Sequence, residues 1–293
     1  MAMSGAQVAT YGAGLRKEAR RGRAVLHQFA LWISVGWVGL IVLVGIFAHQ
    51  IAPYDPLNQE LTNTYAGPSA QHLLGTDDLG RDVFSRLVIG TQPVLEGMVV
   101  VLVVTFTVGI AWGLIAGFMG GIVDLLLMRV ADVFLVLPTI IIAIAIVLTI
   151  GPGPAGLFAM IALAISFSPG IARFMRGQVL VVKDRDYVTV TRMYGLPVRH
   201  RLLRHIFPNA FAPISIQLPL FAGITVGLSV LLAFLGIGTT PPYPSWGQDL
   251  NEGFQHILIN PSAVFAPSAV IVLLTLAIFR VGDWFSDRVT AAN

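Results

Sequence analysis

The chain contains no cysteine, which excludes disulfides, thiolate metal sites and cysteine nucleophiles together. Charge is also scarce: Asp, Glu, Lys and Arg make up 11% of the 293 residues, against 56% hydrophobic. Soluble domains carry about 25% charge, so an ordinary water-soluble domain is excluded, and the mean hydropathy of +0.80 agrees. Only two lysines occur, Lys17 and Lys183, followed by Glu18 and Asp184 and neither preceded by glycine. That excludes a P-loop, which needs GxxxxGK[ST] to cradle phosphate with backbone N–H groups and a lysine. HExxH and GxSxG are missing, and His200 and His205, five apart, do not share a face at α-helical pitch. No metal and no cofactor is therefore expected. The formal charge of +3 is small, and the basic residues flank hydrophobic segments. A nucleic-acid surface is not supported; membrane topology explains them.

What is present is a series of apolar runs. The first follows a polar leader, residues 1–28, that ends in Arg16, Lys17, Arg20, Arg21 and Arg23. The run at 29–48 exceeds the 7–15 residues of a signal-peptide core, so it reads as a retained span. Further runs lie at 93–119, 122–150, 155–171, 213–235 and 263–281. A span needs about 20 apolar residues, and the fourth run is the weakest. Charge decides for it. Segments 1–28 and 173–212 carry five and eight Lys/Arg, whereas 49–93 and 237–262 carry two and none. That bias places both ends of the chain in the cytoplasm after six crossings.

Details inside these segments set further expectations. In LLGTDDLGRDVFSRLVIG, 73–90, a short amphipathic helix at 78–87 would align Leu79, Val83 and Leu87, with Asp82 and Arg86 as an i,i+4 pair. The segment reads as a structured loop lying on the membrane. Gly109, Gly113 and Gly117 repeat every four residues, a spacing that lets another helix approach closely; packing within one bundle is the preferred reading, with the lining of a path that changes shape and a face toward a sister subunit as the sharper ones. Pro138 interrupts the third run, Pro169 and Gly170 the fourth, and Pro219, Gly223 and Gly227 the fifth. Glu96, Asp124, Arg129 and Asp132 lie in or near spans, and Arg129 could pair with Asp132. A proton relay through them would make a secondary carrier. Boundary charges that snorkel are the preferred reading.

Residues 173–212 are too long for a helix–helix connection, which usually takes 2–8 residues. Two short helices are expected, one at 184–194 broken by Gly195, the next at 197–206 with Pro197 in its first turn and a stop before Pro208. The second exposes Arg199, His200, Arg201, Arg204 and His205 and keeps Leu202, Leu203, Ile206 and Phe207 on an apolar side. It suits either a membrane-surface helix or a docking element for a cytoplasmic partner.

This segment resembles the cytoplasmic signature of permease subunits of bacterial ABC importers for peptides, the OppC/DppC side. Gly195 fills the signature glycine, Phe207–Pro208 the apolar–Pro ending, and Asn209 follows; Thr189, Val190 and Thr191 stand where the family has Glu-Ala-Ala. LGTDDLGRDVFSRL at 74–87, GFMGGIVDLLLMRVADVFLVLP at 117–138 and FLGIGTTPPYPSWGQDL at 234–250 are similar to other family passages. The resemblance implies an all-α polytopic membrane protein with six transmembrane helices and a type I ABC importer permease (MetI-like) fold. Its parts would be a cytoplasmic tail 1–28, a first helix 29–48, an external loop 49–93, a five-helix core 94–282 containing the coupling loop 173–212, and a tail 283–293. It also implies the partners: a sister permease, one or two ABC ATPases, an extracytoplasmic peptide-binding protein and membrane lipid, in a bacterial inner or plasma membrane. ATPase coupling would fall to Thr189, Tyr194, Gly195, Leu196, Pro197, Arg199, Arg201, Leu203, Pro208 and Asn209. The chain itself would be non-catalytic, supplying half of a path for oligopeptides or dipeptides. The alternatives are a self-sufficient secondary carrier and, more distantly, a membrane scaffold.

Overall fold

The computed structural model describes residues 28–151, 153, 156–239 and 241–292. The basic cluster at 16–23 lies outside the described residues. All regular structure described is helical. Helix α1, Gln28–Ile46, is the first apolar run, and α2, Ala48–Ile51, extends it by one turn. After an irregular segment come α3, Val83–Ile89, and α4, Thr91–Met119. Gly120 and Gly121, both at positive φ, turn the chain into α5, Gly121–Val136, which is followed by α6, Thr139–Ile150. Helix α7 is Leu157–Lys183. A compact group follows: α8 Asp186–Met193, α9 Val198–Arg201, a π-helical turn Leu202–Ile206 and α10 Phe207–Ser215. Helices α11 Gln217–Phe234, α12 Trp246–Gln255 and α13 Ser262–Ala292 complete the fold.

Five helices are long and apolar enough to cross a membrane, and the bent pair α5–α6 makes a sixth when counted as one span. The bend, 95°, has a local cause. Pro138 has no N–H to give the preceding turn, and its ring drives Leu137 into extended backbone at φ −88° and ψ 139°. The third run is thus two helices that meet at the proline interrupting it.

The packing of α4 on α7 resolves what the pair does. A Cβ on Gly97 would meet Met160, one on Gly109 would meet Ile171, and one on Gly117 would meet Val179. Contacts that advance together along both helices mean that α4 and α7 run parallel. The chain between them must therefore return to the end where α4 began. The bent pair makes that crossing, about 30 Å for the twenty residues from Gly97 to Gly117. The glycine repeat is used here, inside the chain: a Cβ on Gly113 would lie 2.2 Å from the Ala172 carbonyl oxygen. The preferred reading, packing within the bundle, holds, and the face toward a sister subunit expected of the same glycines is corrected.

Other boundaries move as well. Helix α7 passes through Pro169 and continues to Lys183, so helix occupies the first eleven residues of the expected loop 173–212. Helix α13 likewise runs through most of the expected tail at 283–293. Charges tie α5 to α7. Arg176 Nε donates to Asp124 at 2.5 Å and its Nη2 at 2.6 Å. Asp132 accepts from Arg173, leaving Arg129 at 3.9 Å as its weaker, exposed neighbour. These carboxylates are consumed by arginines of a facing helix and do not form a relay of free acids.

Candidate functional site

The segment singled out by sequence forms a ledge at the end of the bundle where α4 and α7 finish. Two apolar side chains seat it. Val188 of α8 and Ile206 of the π turn are buried with Val179, Val182, Ala210 and Ile214. Leu202 and Phe207 are half-buried against those anchors, while other large side chains point outward. Met193 is 82% and Tyr194 81% exposed, and Val198 and Leu203 are also exposed.

The corner between α8 and α9 is set by Gly195. Its N–H bonds to the Arg192 carbonyl at 3.1 Å, and the Leu196 N–H bonds to the Thr191 carbonyl at 3.2 Å. This is the Schellman arrangement, which requires left-handed backbone at its glycine, here at φ +67°. Pro197, exposed, caps α9 and is not its first helical residue. Thr189 is exposed, and its hydroxyl only reaches back to the Arg185 carbonyl. Leu196 is half-buried and Arg199 is exposed. Arg201 is half-buried, with Nε shielded from solvent and no acceptor for it among the described residues.

Two expectations fail in the π turn. The helix does not stop before Pro208. The Phe207 N–H reaches back to the Leu202 carbonyl five residues earlier, and Pro208 then takes a first-turn position in α10, where its missing N–H costs little. Pro208 and Asn209 sit on the exposed side, Asn209 Nδ2 donating to the His205 carbonyl at 2.7 Å. The wider pitch also brings residues five apart onto one face. The rings of His200 and His205 are 5.5 Å apart, contrary to the α-helical expectation.

A second polar centre, at the opposite end, was missed. Arg86 is 2% exposed and donates through Nε and Nη2 to Asp249 Oδ1 and through Nη1 to the carbonyls of Pro56 and Pro242. Arg81, equally buried, donates to Asp77 at 2.6 Å and to Glu252 at 2.9 Å. Asp82 does not pair with Arg86. It caps α3 through the Ser85 N–H at 2.8 Å and meets His72 Nδ1 at 2.9 Å. Trp246, fully buried, donates to the Leu87 carbonyl at 2.9 Å. The segment is thus part of a packed charged core. Loss of solvation pushes the Asp249 carboxyl up to about 6, with Arg86 opposing the rise. Burial works against the charge of Arg81, yet Asp77 and Glu252 outweigh it and hold its pKa above the usual arginine value. The carboxylates of Asp77, Asp78 and Glu252 converge to within 4.8 Å of one another, but Arg81 touches all three and supplies the countercharge. Sequence carries both halves of this centre as motifs, 74–87 and 234–250, without any sign that they meet.

A family model described as "binding-protein-dependent transport system inner membrane component" matches residues 109–291. The glutathione transport system permease protein GsiD of Pectobacterium atrosepticum is 36% identical over 266 residues, covering 90% of this chain and 88% of that one. The protein of the same name from Escherichia coli is 38% identical over 266 residues, covering 90% and 87%. Among solved structures, the MetNI methionine ABC transporter in inward-facing conformations matches with a TM-score of 0.57 at 19% identity, over 70% of this chain and 96% of that one. That match supports the MetI-like arrangement of helices.

Proposed function

We propose that this chain, which belongs to the binding-protein-dependent transport system inner membrane component family and is a membrane permease subunit of an ABC importer, forms half of a path for short peptides and couples it to separate ATPase subunits. The peptide reading, on the OppC/DppC side, rests on the motif at 74–87 and on relatives named for the transport of glutathione, itself a tripeptide. The partners are a sister permease, one or two ATPases and an extracytoplasmic peptide-binding protein. The basic segments 1–28 and 173–212 face the cytoplasm of a bacterial cell, and the charged core around Arg86 faces out.

The observation that carries the coupling role is the ledge. Val188 and Ile206 anchor it while Met193, Tyr194, Val198 and Leu203 stand exposed among Arg192, Arg199 and Arg204. In the proposed mechanism, this ridge seats in a groove of an ATPase subunit. Closure of two ATPases on ATP draws two such ledges together, and the rigid link from Val188 and Ile206 into α7 carries the motion to the spans. Tyr194, Leu196 and Leu203 supply apolar contact where Thr189 replaces the family glutamate. Arg199 and Arg201 add charge contacts, Pro197, Pro208 and Asn209 shape the turns, and Gly195 sets the angle.

The test is the assembled importer in vesicles. Tyr194→Ala and Leu196→Ala should each remove an anchored contact, about 2 kcal/mol or more, and Gly195→Val should misdirect α9. Lost assembly, or ATP hydrolysis that continues without uptake, is expected; full assembly, hydrolysis and uptake in all three overturns the coupling role. Hydrolysis stimulated by glutathione or short peptides is expected of the cargo reading, and stimulation by neither overturns it.

A further inference from the structure

Helices α5 and α7 are joined by two ion pairs in different surroundings. Arg176 and Asp124, nearer the ledge, form a half-buried bidentate pair. Three residues earlier on α7, Arg173 donates to Asp132 Oδ1, while Arg129 approaches Oδ2 at 3.9 Å. Two guanidinium groups thus flank one carboxylate. Arg129 has no acceptor at hydrogen-bonding distance among the described residues, and its side chain is 75% exposed, with Asp132 at 44%. Depth makes this exposure informative. Helix α7 is about 39 Å long, some 9 Å more than a hydrocarbon core. Arg173 lies about 15 Å from its Lys183 end. Even with all of the excess at that end, the cluster is about 6 Å inside the core. Arginine can snorkel from such a depth, but aspartate has a single methylene and cannot. An exposed aspartate held there belongs beside water and not beside lipid.

The backbone of the same strip points the same way without reference to charge. Val133 and Val136, both exposed, continue the face of Arg129 at helical spacing and lead to the break at Leu137 and Pro138, exposed as well. Because α5–α6 as a whole makes the crossing, the break lies at membrane depth. Leu137 is in extended backbone there, and Pro138 brings no N–H to the Phe134 carbonyl that an unbroken helix would pair with it. Irregular backbone at this depth persists only where protein buries it or water reaches it. The described residues of this chain leave it open. A helix laid over the strip by another subunit would use its own backbone groups internally and bring none to the break. Water meets the need that such a helix would leave.

Building on the peptide reading above, we propose that this strip lines the cargo path and that Arg129 and Arg173, flanking Asp132, form a subsite for the terminal carboxylate of a peptide in transit. Asp132 fixes Arg173 in place, and Arg129 is the guanidinium with donors left to give. Its planar fork of N–H groups matches a carboxylate. The surroundings suit a varied cargo: Ile122, Leu125, Leu126, Val133 and Val136 share the exposed face of α5 and add no second charge. A peptide is held at its carboxylate while the rest of it lies along aliphatic surface. Asp132 also keeps the hold weak, because its charge opposes a second carboxylate beside it. A passage that must release what it binds needs that weakness.

The test uses the assembled importer in vesicles, offered one tripeptide as its free acid and as its C-terminal amide. The binding protein is the same throughout, so a change in the ratio of the two uptake rates between variants belongs to the permease. Arg129→Gln should lower the ratio of free-acid to amide uptake about ten-fold, the size of one charge-assisted hydrogen bond, and Arg129→Lys should restore much of it. An unchanged ratio in Arg129→Gln overturns the subsite alone. Uptake of neither peptide by the unaltered importer overturns the peptide reading and the subsite with it. Water access is measured apart from transport, and decides the path even if the Arg129 variants assemble poorly. Val133→Cys, the single thiol of an otherwise cysteine-free chain, should react with a membrane-impermeant thiol reagent in opened vesicles. No reaction would place the strip against lipid, and capture of the sister permease by a crosslinker at that position would place it in a subunit interface. Either result overturns the proposal.

Discussion

Arg86 is the residue on which the second polar centre turns, and its partner lies 163 positions away in the chain. From sequence, only the local neighbour Asp82 was visible, so the i,i+4 pair was the natural expectation and the wrong one. The folded chain prefers Asp249 because burial of the guanidinium demands several acceptors at once, and α12 brings a carboxylate where α3 cannot. Arg86→Ala would leave the Asp249 carboxylate buried without its countercharge, at a cost of about 3–5 kcal/mol. A lowered thermal midpoint of the purified chain is the expected readout. The Oδ2 atom of Asp249 is buried with no donor among the described residues, and Asp77 stands 3.7 Å from Arg86 as a second countercharge. Both favour a proton on Asp249, whose pKa burial pushes up to about 6. With the folded value above the unfolded one, the folded chain binds a proton that the unfolded chain lacks between pH of about 4 and about 6. This contribution to stability is fully present below that window and lost as pH rises through 6. Asp249→Asn should flatten this part of the stability–pH curve; an unchanged slope would assign the titration elsewhere.

At the scale of elements, sequence was informative about what each helix carries and silent about what it touches. The four-residue glycine spacing was legible, and so was the close approach it permits. Its partner was not, because α7 offers no matching repeat and meets the glycines with Ile171, Met175 and Val179. Pro138 was legible as an interruption and is the local cause of the 95° turn, whereas the packing of α6 against α7 that follows it was not legible. The π turn left no mark beyond Pro208, and with it the meeting of His200 and His205 was hidden. The glycine contacts lead to a direct comparison. Gly113→Ala places a Cβ 2.2 Å from a backbone oxygen that has nowhere to move, so α4 and α7 must separate. Overpacking of this kind costs about 1–3 kcal/mol, and protease sensitivity in detergent should rise. Gly36 and Gly39 of α1 have nothing within 4 Å of an added Cβ. Alanine at either should be neutral or slightly stabilising, since it favours helix by about 1 kcal/mol.

For the whole molecule, the charge bias in the sequence and the packing of α4 on α7 reach the same number of crossings by separate routes. The first counts Lys and Arg in loops; the second needs no charges at all. Because α4 and α7 are parallel, α5–α6 must return the chain across the membrane, and six crossings follow. A re-entrant α5–α6 would leave the chain on the side it had just reached, send α7 the other way and make it antiparallel to α4. The two arrangements place the ledge on opposite faces, and a chain without cysteine offers a clean background for telling them apart. Leu61, 69% exposed after α1, and Tyr194, on the ledge after α7, are separated by α4, α5–α6 and α7. Three crossings put them on opposite sides, and two would put them on the same side. With Leu61→Cys and Tyr194→Cys made singly, an impermeant thiol reagent added to intact cells should label the first and spare the second until the membrane is opened. Labelling of both from outside would mean that α5–α6 turns back within the membrane. The parallel packing of α4 and α7 could not then stand, since no other segment lies between them to restore the direction.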